Sequence, residues 1–153
     1  MIEDDPFRCF VPYPPAKVSH ASSGALSGLT LAVKDLFDIK GYPTGAGSPT
    51  VLAQSGIKTR TAPVVKALLD TGARFVGKTH TDELAFSLNG KNAHFGAPVN
   101  PAAPDRITGG SSSAVAIAVQ GLCQEKGVIF MAALTHSNDT TGKDKKRYGF
   151  RHF

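Results

Sequence analysis

The densest chemistry in the chain lies in Thr108-Gly109-Gly110-Ser111-Ser112-Ser113. Glycine lets a backbone approach a ligand closely or take a positive φ that other residues resist. The serines add hydroxyls. The small apolar run Ala114 to Val119 predicts a helix from Ser113 to Val119, closed by Gly121, whose first N–H groups could face an oxyanion. This stretch is a plausible floor for an active site. A second charged feature lies far upstream, where Lys34-Asp35 interrupts the apolar, β-branched segment Leu29 to Ile39. Such a pair is either a strand end meeting solvent or a buried lysine whose shifted pKa does chemistry. Local sequence alone favours the solvated strand end.

Other candidates fall away on spacing. Gly45-Ala46-Gly47 lacks the third glycine of a dinucleotide fingerprint, because Thr50 stands there. These two glycines read as a flexible loop or as pocket lining. His80 and His94 lack metal-ligand spacing, and Cys9 and Cys123 form no CxxC pair, so no metal and no cofactor is expected. Asp82 and Glu83 are adjacent and do not share a helix face, so they read as charge at a helix start rather than an acid–base pair. Asn100-Pro101 reads as a turn.

The elements that must carry these residues follow from periodicity and turn chemistry. Residues 1–27 hold Pro6, Pro12, Pro14 and Pro15 and then a run rich in Ala, Ser and Gly, which predicts an extended lead-in. Leu29 to Val33 predicts a buried strand. Gly41 to Ser55 predicts a loop. Thr61 to Gly72 predicts a helix, with Thr61 as N-cap, Val64, Val65, Leu68 and Leu69 as its apolar face and Gly72 as its stop. Ala73 to Thr79 predicts a second strand, which completes a βαβ unit. Thr81 to Leu88 predicts a short helix, and Asn89 to Asp105 a loop that delivers the chain to the serines.

Composition bounds the rest. Of the 153 residues 41% are apolar and 19% charged, as in globular proteins. No run is long enough to span a bilayer, the acidic N-terminus lacks a secretory pattern, and two scattered cysteines fit reduced thiols, so a cytoplasmic protein without a membrane partner is expected. The net charge of +5 is concentrated at residues 143–152, and removing them leaves 12 basic and 11 acidic residues. The basicity belongs to the tail, so no nucleic-acid partner is expected.

Three blocks together carry a family resemblance. They are Gly28 to Asp35, Thr61 through Gly77-Lys78-Thr79-His80-Thr81-Asp82-Glu83-Leu84-Ala85, and Asn100-Pro101 to Ser113. Over residues 28 to about 121 the chain resembles the amidase signature family, the Ser-cisSer-Lys amide hydrolases. It looks most like the small amidases, the group that includes indole-3-acetamide amidase. The resemblance implies an α/β fold with a mixed sheet flanked by helices. It implies that Lys34 is the neutral general base and that Ser111, in a cis peptide, relays the proton. Gly109, Gly110 and Ser112 would line the pocket for a small amide substrate, which is hydrolysed to acid and ammonia. A lysine serves as base near neutral pH only when desolvation lowers its pKa, and the apolar Leu29–Val33 strand offers that setting. The resemblance therefore reverses the local reading of Lys34.

The sequence also departs from the family. The family pattern continues with Gly-Ser after the three serines, whereas here Ser113 meets Ala114. The downstream Gly-Thr-Asp-Thr-Gly-Gly-Ser segment, whose last serine is the family's nucleophile, has no match. Ser137 is the only serine after Ser113 and lacks a preceding Gly-Gly pair, so no nucleophile is identified. The expected organisation is a lead-in (1–27), the N-terminal part of an amidase domain (28–121) and a divergent, partly disordered basic tail (122–153). The chain reads as a truncated amidase, incomplete on its C-terminal side and inactive alone. The alternative is a non-catalytic binding module derived from an amidase, associating through an exposed sheet edge.

Overall fold

The continuous apolar run that begins at Leu29 becomes the strand β1, Thr30–Lys34, buried at every position. Burial on both faces is what a parallel sheet demands, and β1 lies between two parallel neighbours. The computed structural model describes residues 5–101, 103–112, 128–133 and 149–152. Within them the elements after β1 are α1 (Pro49–Ser55), α2 (Pro63–Asp70), β2 (Arg74–Thr79), β3 (Val128–Ala133) and β4 (Gly149–His152). The sheet order is β2-β1-β3-β4 with every adjacent pair parallel. Among the described residues an antiparallel bridge joins Phe10 to Thr79 at the sheet's edge. The architecture is therefore α/β, with α2 in the β1-to-β2 crossover as the βαβ pattern predicts.

The core sits between the sheet and α2. Leu31 and Val33 of β1 meet Val65 and Leu69 of α2, Phe75 of β2, and Ile39, Tyr42 and Ala73. Tyr42 and Phe75 pack edge to face with ring centroids 5.3 Å apart. Strand alternation then sends Thr30, Ala32 and Lys34 to the face away from this cluster.

Four local expectations change. Gly41 to Ser55 is not all loop, because Ser48-Pro49 opens α1 and Gly56 at φ +58° closes it. Proline in the first helical turn gives up an N–H that has no partner there anyway. Thr61 does not cap α2. The N-cap is Ala62 without a side-chain bond, and Thr61 Oγ1 instead accepts from the Lys40 N–H at 3.0 Å. Of the four apolar residues assigned to the buried face of α2, Val65 and Leu69 are buried while Val64 is 44% exposed. Thr81 to Leu88 yields only one 3-10 turn, Glu83–Ala85, with Leu84 and Ala85 at positive φ. Its backbone groups are taken by tertiary partners: the Leu84 N–H donates to Ala46 O at 2.8 Å, and Thr81 O accepts from Asn92 at 3.1 Å. The helix expected at Ser113 to Val119 lies outside the described residues. Two segments assigned to the divergent tail, 128–133 and 149–152, are strands of the sheet.

The lead-in is extended, and it is stitched to the body. Val11 N–H donates to Lys78 O at 2.8 Å and His80 N–H to Cys9 O at 3.0 Å. Ala21 N–H reaches Leu69 O and Leu26 N–H reaches Thr71 O, each at 2.9 Å. At Lys78 to His80 the outer edge of β2 is thus covered rather than open.

Below the sheet's end lies a buried ion pair. Lys78 Nζ approaches Asp35 Oδ1 at 2.7 Å, with side-chain exposures of 0% and 2%. The contact pairs the two charges, and further hydrogen bonds hold each side chain. Lys78 donates to Pro43 O and Thr44 Oγ1, each at 2.8 Å, and Asp35 Oδ2 accepts from Tyr13 Oη at 2.8 Å and the Gly45 N–H at 3.1 Å. Removing one partner of such a pair strands the other charge in the interior. Lys78→Ala is expected to lower unfolding free energy by about 3–5 kcal/mol in urea titrations. Lys66→Ala, which breaks an exposed i,i+4 pair with Asp70, should change it by no more than about 0.5 kcal/mol.

Candidate active site

Lys34 is the last residue of β1, at the carboxyl end of a parallel sheet where α/β folds place their ligands. The pleat separates it from its neighbour in sequence. Asp35 turns toward Lys78, as described above, and Lys34 turns toward the serines. Lys34 Nζ lies 3.2 Å from Ser111 Oγ and 2.7 Å from Ser112 Oγ, although 77 positions separate the lysine from Ser111. All three residues are buried, at 4%, 2% and 2% exposure. Burial pulls the Lys34 ammonium down from the ordinary lysine value to about 8, with the nearby Asp82 carboxylate pulling the other way. The strand end is therefore not solvated, and the local reading of Lys34 gives way to the buried one.

The loop that presents the serines is held from beneath. The Gly110–Ser111 peptide is cis. The Ser111 carbonyl accepts from Thr81 Oγ1 at 3.0 Å and from the Asp82 N–H at 3.2 Å. Gly109 adopts φ +81°, in the left-handed region. A Cβ on Gly110 would overlap Asp82 Oδ2 and crowd the Leu88 and Asn89 backbone, so only glycine fits between the serines and the 82–90 loop. Asn92 ties the frame together, donating through Nδ2 to Gly47 O at 2.7 Å and Thr81 O at 3.1 Å. Gly45 and Gly47 are accordingly buried parts of this frame and not a loose loop.

Of the residues singled out in the sequence, Lys34, Gly109, Gly110, Ser111 and Ser112 come together. His80 and His94 do not join them. Burial lowers the pKa of His80, while His94 Nε2 lies 3.3 Å from Glu83 Oε1 near the surface. No group of three or more metal-binding side chains occurs among the described residues. Thr81, Asp82 and Asn92 were missed. Asp82 does stand at the start of the Glu83–Ala85 turn, but its side chain makes no capping bond: it is 1% exposed and packs against Gly110, while Glu83 stays at the surface. No local signal marks it, because its surroundings are assembled from distant loops.

A cavity of about 30 Å³ lies between β1 and α2, lined mainly by Leu31, Val33, Phe37, Val65 and Leu68, and its lining includes neither Ser111 nor Ser112. A larger cavity of about 560 Å³, bordered by Lys17, Lys40, Arg60 and Lys66, does not include the lysine–serine cluster.

The chain belongs to the amidase family, whose sequence profile matches residues 15–124. It is 52% identical over 99 residues to amidase 1 of Arabidopsis thaliana, covering 65% of this chain and 23% of that protein. It is 48% identical over 106 residues to the chloroplastic outer envelope protein 64 of the same plant, covering 69% and 18%. Among solved structures it resembles the native peptide amidase of Stenotrophomonas maltophilia, with a TM-score of 0.55 and 34% identity over 63% of this chain and 20% of that one. The chain thus spans less than a quarter of the length of these relatives.

The lowered Lys34 pKa has a consequence for stability. A folded-state value near 8, against 10.5 for an ordinary lysine, means the unfolded chain binds more protons between those limits. The stability that Lys34 contributes, measured as the difference in urea midpoint between the natural chain and Lys34→Met, is expected to rise from pH 8 to 10.5. Below pH 8 the difference should be flat. A constant difference across that window would place the amine in ordinary surroundings.

Proposed function

We propose that this chain carries the proton-handling half of an amidase site, with Lys34 as general base and Ser111 as relay. The observation that carries the reading is the buried amine in contact with both serine hydroxyls. In the neutral form, the Nζ lone pair takes the Ser111 hydroxyl proton while Ser111 Oγ takes the proton of an attacking serine. That serine's oxygen bonds to the amide carbon, and the relay run backwards delivers the proton to the leaving nitrogen. Ammonia departs, and water then releases the acid from the acyl-serine by the same route. The substrate class is a small amide. The attacking serine is the missing part, because the sequence has no counterpart of the Gly-Gly-Ser segment that supplies it. The chain alone is therefore inactive.

A second reading rests on the surface. Leu84, Phe86 and Leu88, at 58%, 93% and 56% exposure, form an apolar row on the loop beside the serines. Together with the missing nucleophile segment, this row supports a non-catalytic, amidase-derived binding module as the alternative.

The two readings separate in a chimera. Residues 28–112 would replace the matching part of Arabidopsis amidase 1, and hydrolysis of a simple aryl amide would be followed. The amidase reading expects turnover that falls about 10²–10⁴-fold in Lys34→Ala, the range for loss of a general base. A folded chimera without Lys34-dependent turnover would favour the binding module. The isolated chain is expected to show no turnover, and hydrolysis abolished by Lys34→Ala would overturn that.

A further inference from the structure

We infer that Asp82 is a positioning residue for this site, the counter-ion that receives Lys34 when its amine becomes an ammonium. The inference rests on Lys34 as proton acceptor. Two observations place the carboxylate. Asp82 is 1% exposed and lies directly beneath the Gly110–Ser111 peptide, where Gly110 has no side chain to displace it. Its backbone N–H holds the carbonyl of Ser111, whose hydroxyl touches the lysine, so carboxylate and lysine share one frame.

The carboxylate is also incompletely used. Oδ2 accepts from the Gly90 N–H at 3.2 Å, and Oδ1 is buried with no hydrogen-bond partner in the structure. The Ser87 side chain and the Asn89 backbone lie close enough to favour the ionised form, but burial outweighs them and raises the Asp82 pKa. Among the described residues, the Asp82 carboxylate favours the Lys34 ammonium and the Lys34 charge favours the ionised Asp82. Also among them, Asp35 is engaged with Lys78 and Glu83 with His94. His80 feels Asp5 and Asp35.

The chemistry needs such a group. When neutral Nζ takes a proton, a full positive charge forms in a site almost closed to water. Ser111 and Ser112 offer dipoles only. A buried charge without a counter-charge is strongly disfavoured, so the proton would not be retained long enough to be passed on. A carboxylate that never touches the substrate solves this, as the aspartate behind the histidine does in serine triads. The benefit is bounded, because a fully paired ammonium would cease to be a base. Burial lowers the Lys34 pKa and the Asp82 charge opposes that lowering only in part.

The test reads the lysine directly and does not need turnover. In the ¹³C-labelled full chain, the Lys34 Cε resonance, assigned by its loss in Lys34→Arg, is titrated from pH 6 to 11. Asp82→Asn keeps an acceptor for the Gly90 N–H and is expected to lower the Lys34 midpoint by about one pH unit or more. Glu83→Gln, which removes a neighbouring exposed carboxylate, should leave it in place. An unmoved midpoint in Asp82→Asn, or equal shifts in both variants, overturns the inference. If Asp82→Asn does not fold, the Asp82 Cγ resonance of the natural chain reports the same coupling. It should show an inflection at the lysine midpoint, and a flat trace there overturns the inference as well. Failure of the base reading looks different, since Lys34→Ala would then leave the chimera's turnover unchanged whatever the titration shows.

Discussion

Placing an amine-bearing side chain at the end of a fully buried strand is the constraint that the rest of this structure serves. A lysine so placed loses its hydration, and the interior must either supply a counter-charge or accept the neutral amine. The chain applies both solutions side by side at one end of the sheet. Lys78 is given Asp35 at 2.7 Å, backed by Tyr13, Thr44 and the Pro43 carbonyl, and it locks two loops to the sheet. Lys34 is given hydroxyls, so its proton is only loosely held. Burial lowers the pKa of both amines, but Lys78 has a carboxylate directly against it, whereas Lys34 has hydroxyls against it and only the Asp82 charge opposing its burial.

The serine loop is the second half of that arrangement and has little freedom of its own. Thr81 and Asp82 hold the Ser111 carbonyl, and Asn92 links Thr81 to Gly47. Segments around 35, 45, 81 and 92 therefore fix one hydroxyl against one amine. Their local sequences have nothing in common except turn-forming residues and short polar side chains. This explains why the site is held in place although most of its backbone is neither helix nor strand.

Much of this was legible from the sequence, and for identifiable reasons. Strands β1 and β2 and helix α2 announce themselves because burial on one or both faces imposes a period on apolar residues. The Gly-Gly-Ser run was legible as a close-approach turn. Lys34 was ambiguous locally, since a strand end and a buried base look alike until the partner loop is known, and family resemblance supplied that partner. Helix α1 was hidden because its stretch is crowded with glycine and proline and buries none of its residues. Asp82 was hidden because a carboxylate beside a glutamate at a turn has the signature of surface charge. Its burial depends on Gly110 and Gly90, which reach it through the tertiary fold. Strand β3 coincides with a short apolar run, Val128 to Ala133, that stands isolated in an otherwise polar stretch, and β4 lies in the basic segment, so neither carried a signal of its pairing partner.

The seam between the lead-in and β2 bears on how this sheet meets other chains. Cys9 to Val11 occupies the backbone groups of Lys78 to His80 that a foreign strand would need, with Phe10 bridging to Thr79. A visiting strand would first have to peel away a segment whose other end is fastened at Leu69 and Thr71. The lead-in therefore stands as a built-in competitor for the backbone groups that a foreign strand would need on that flank.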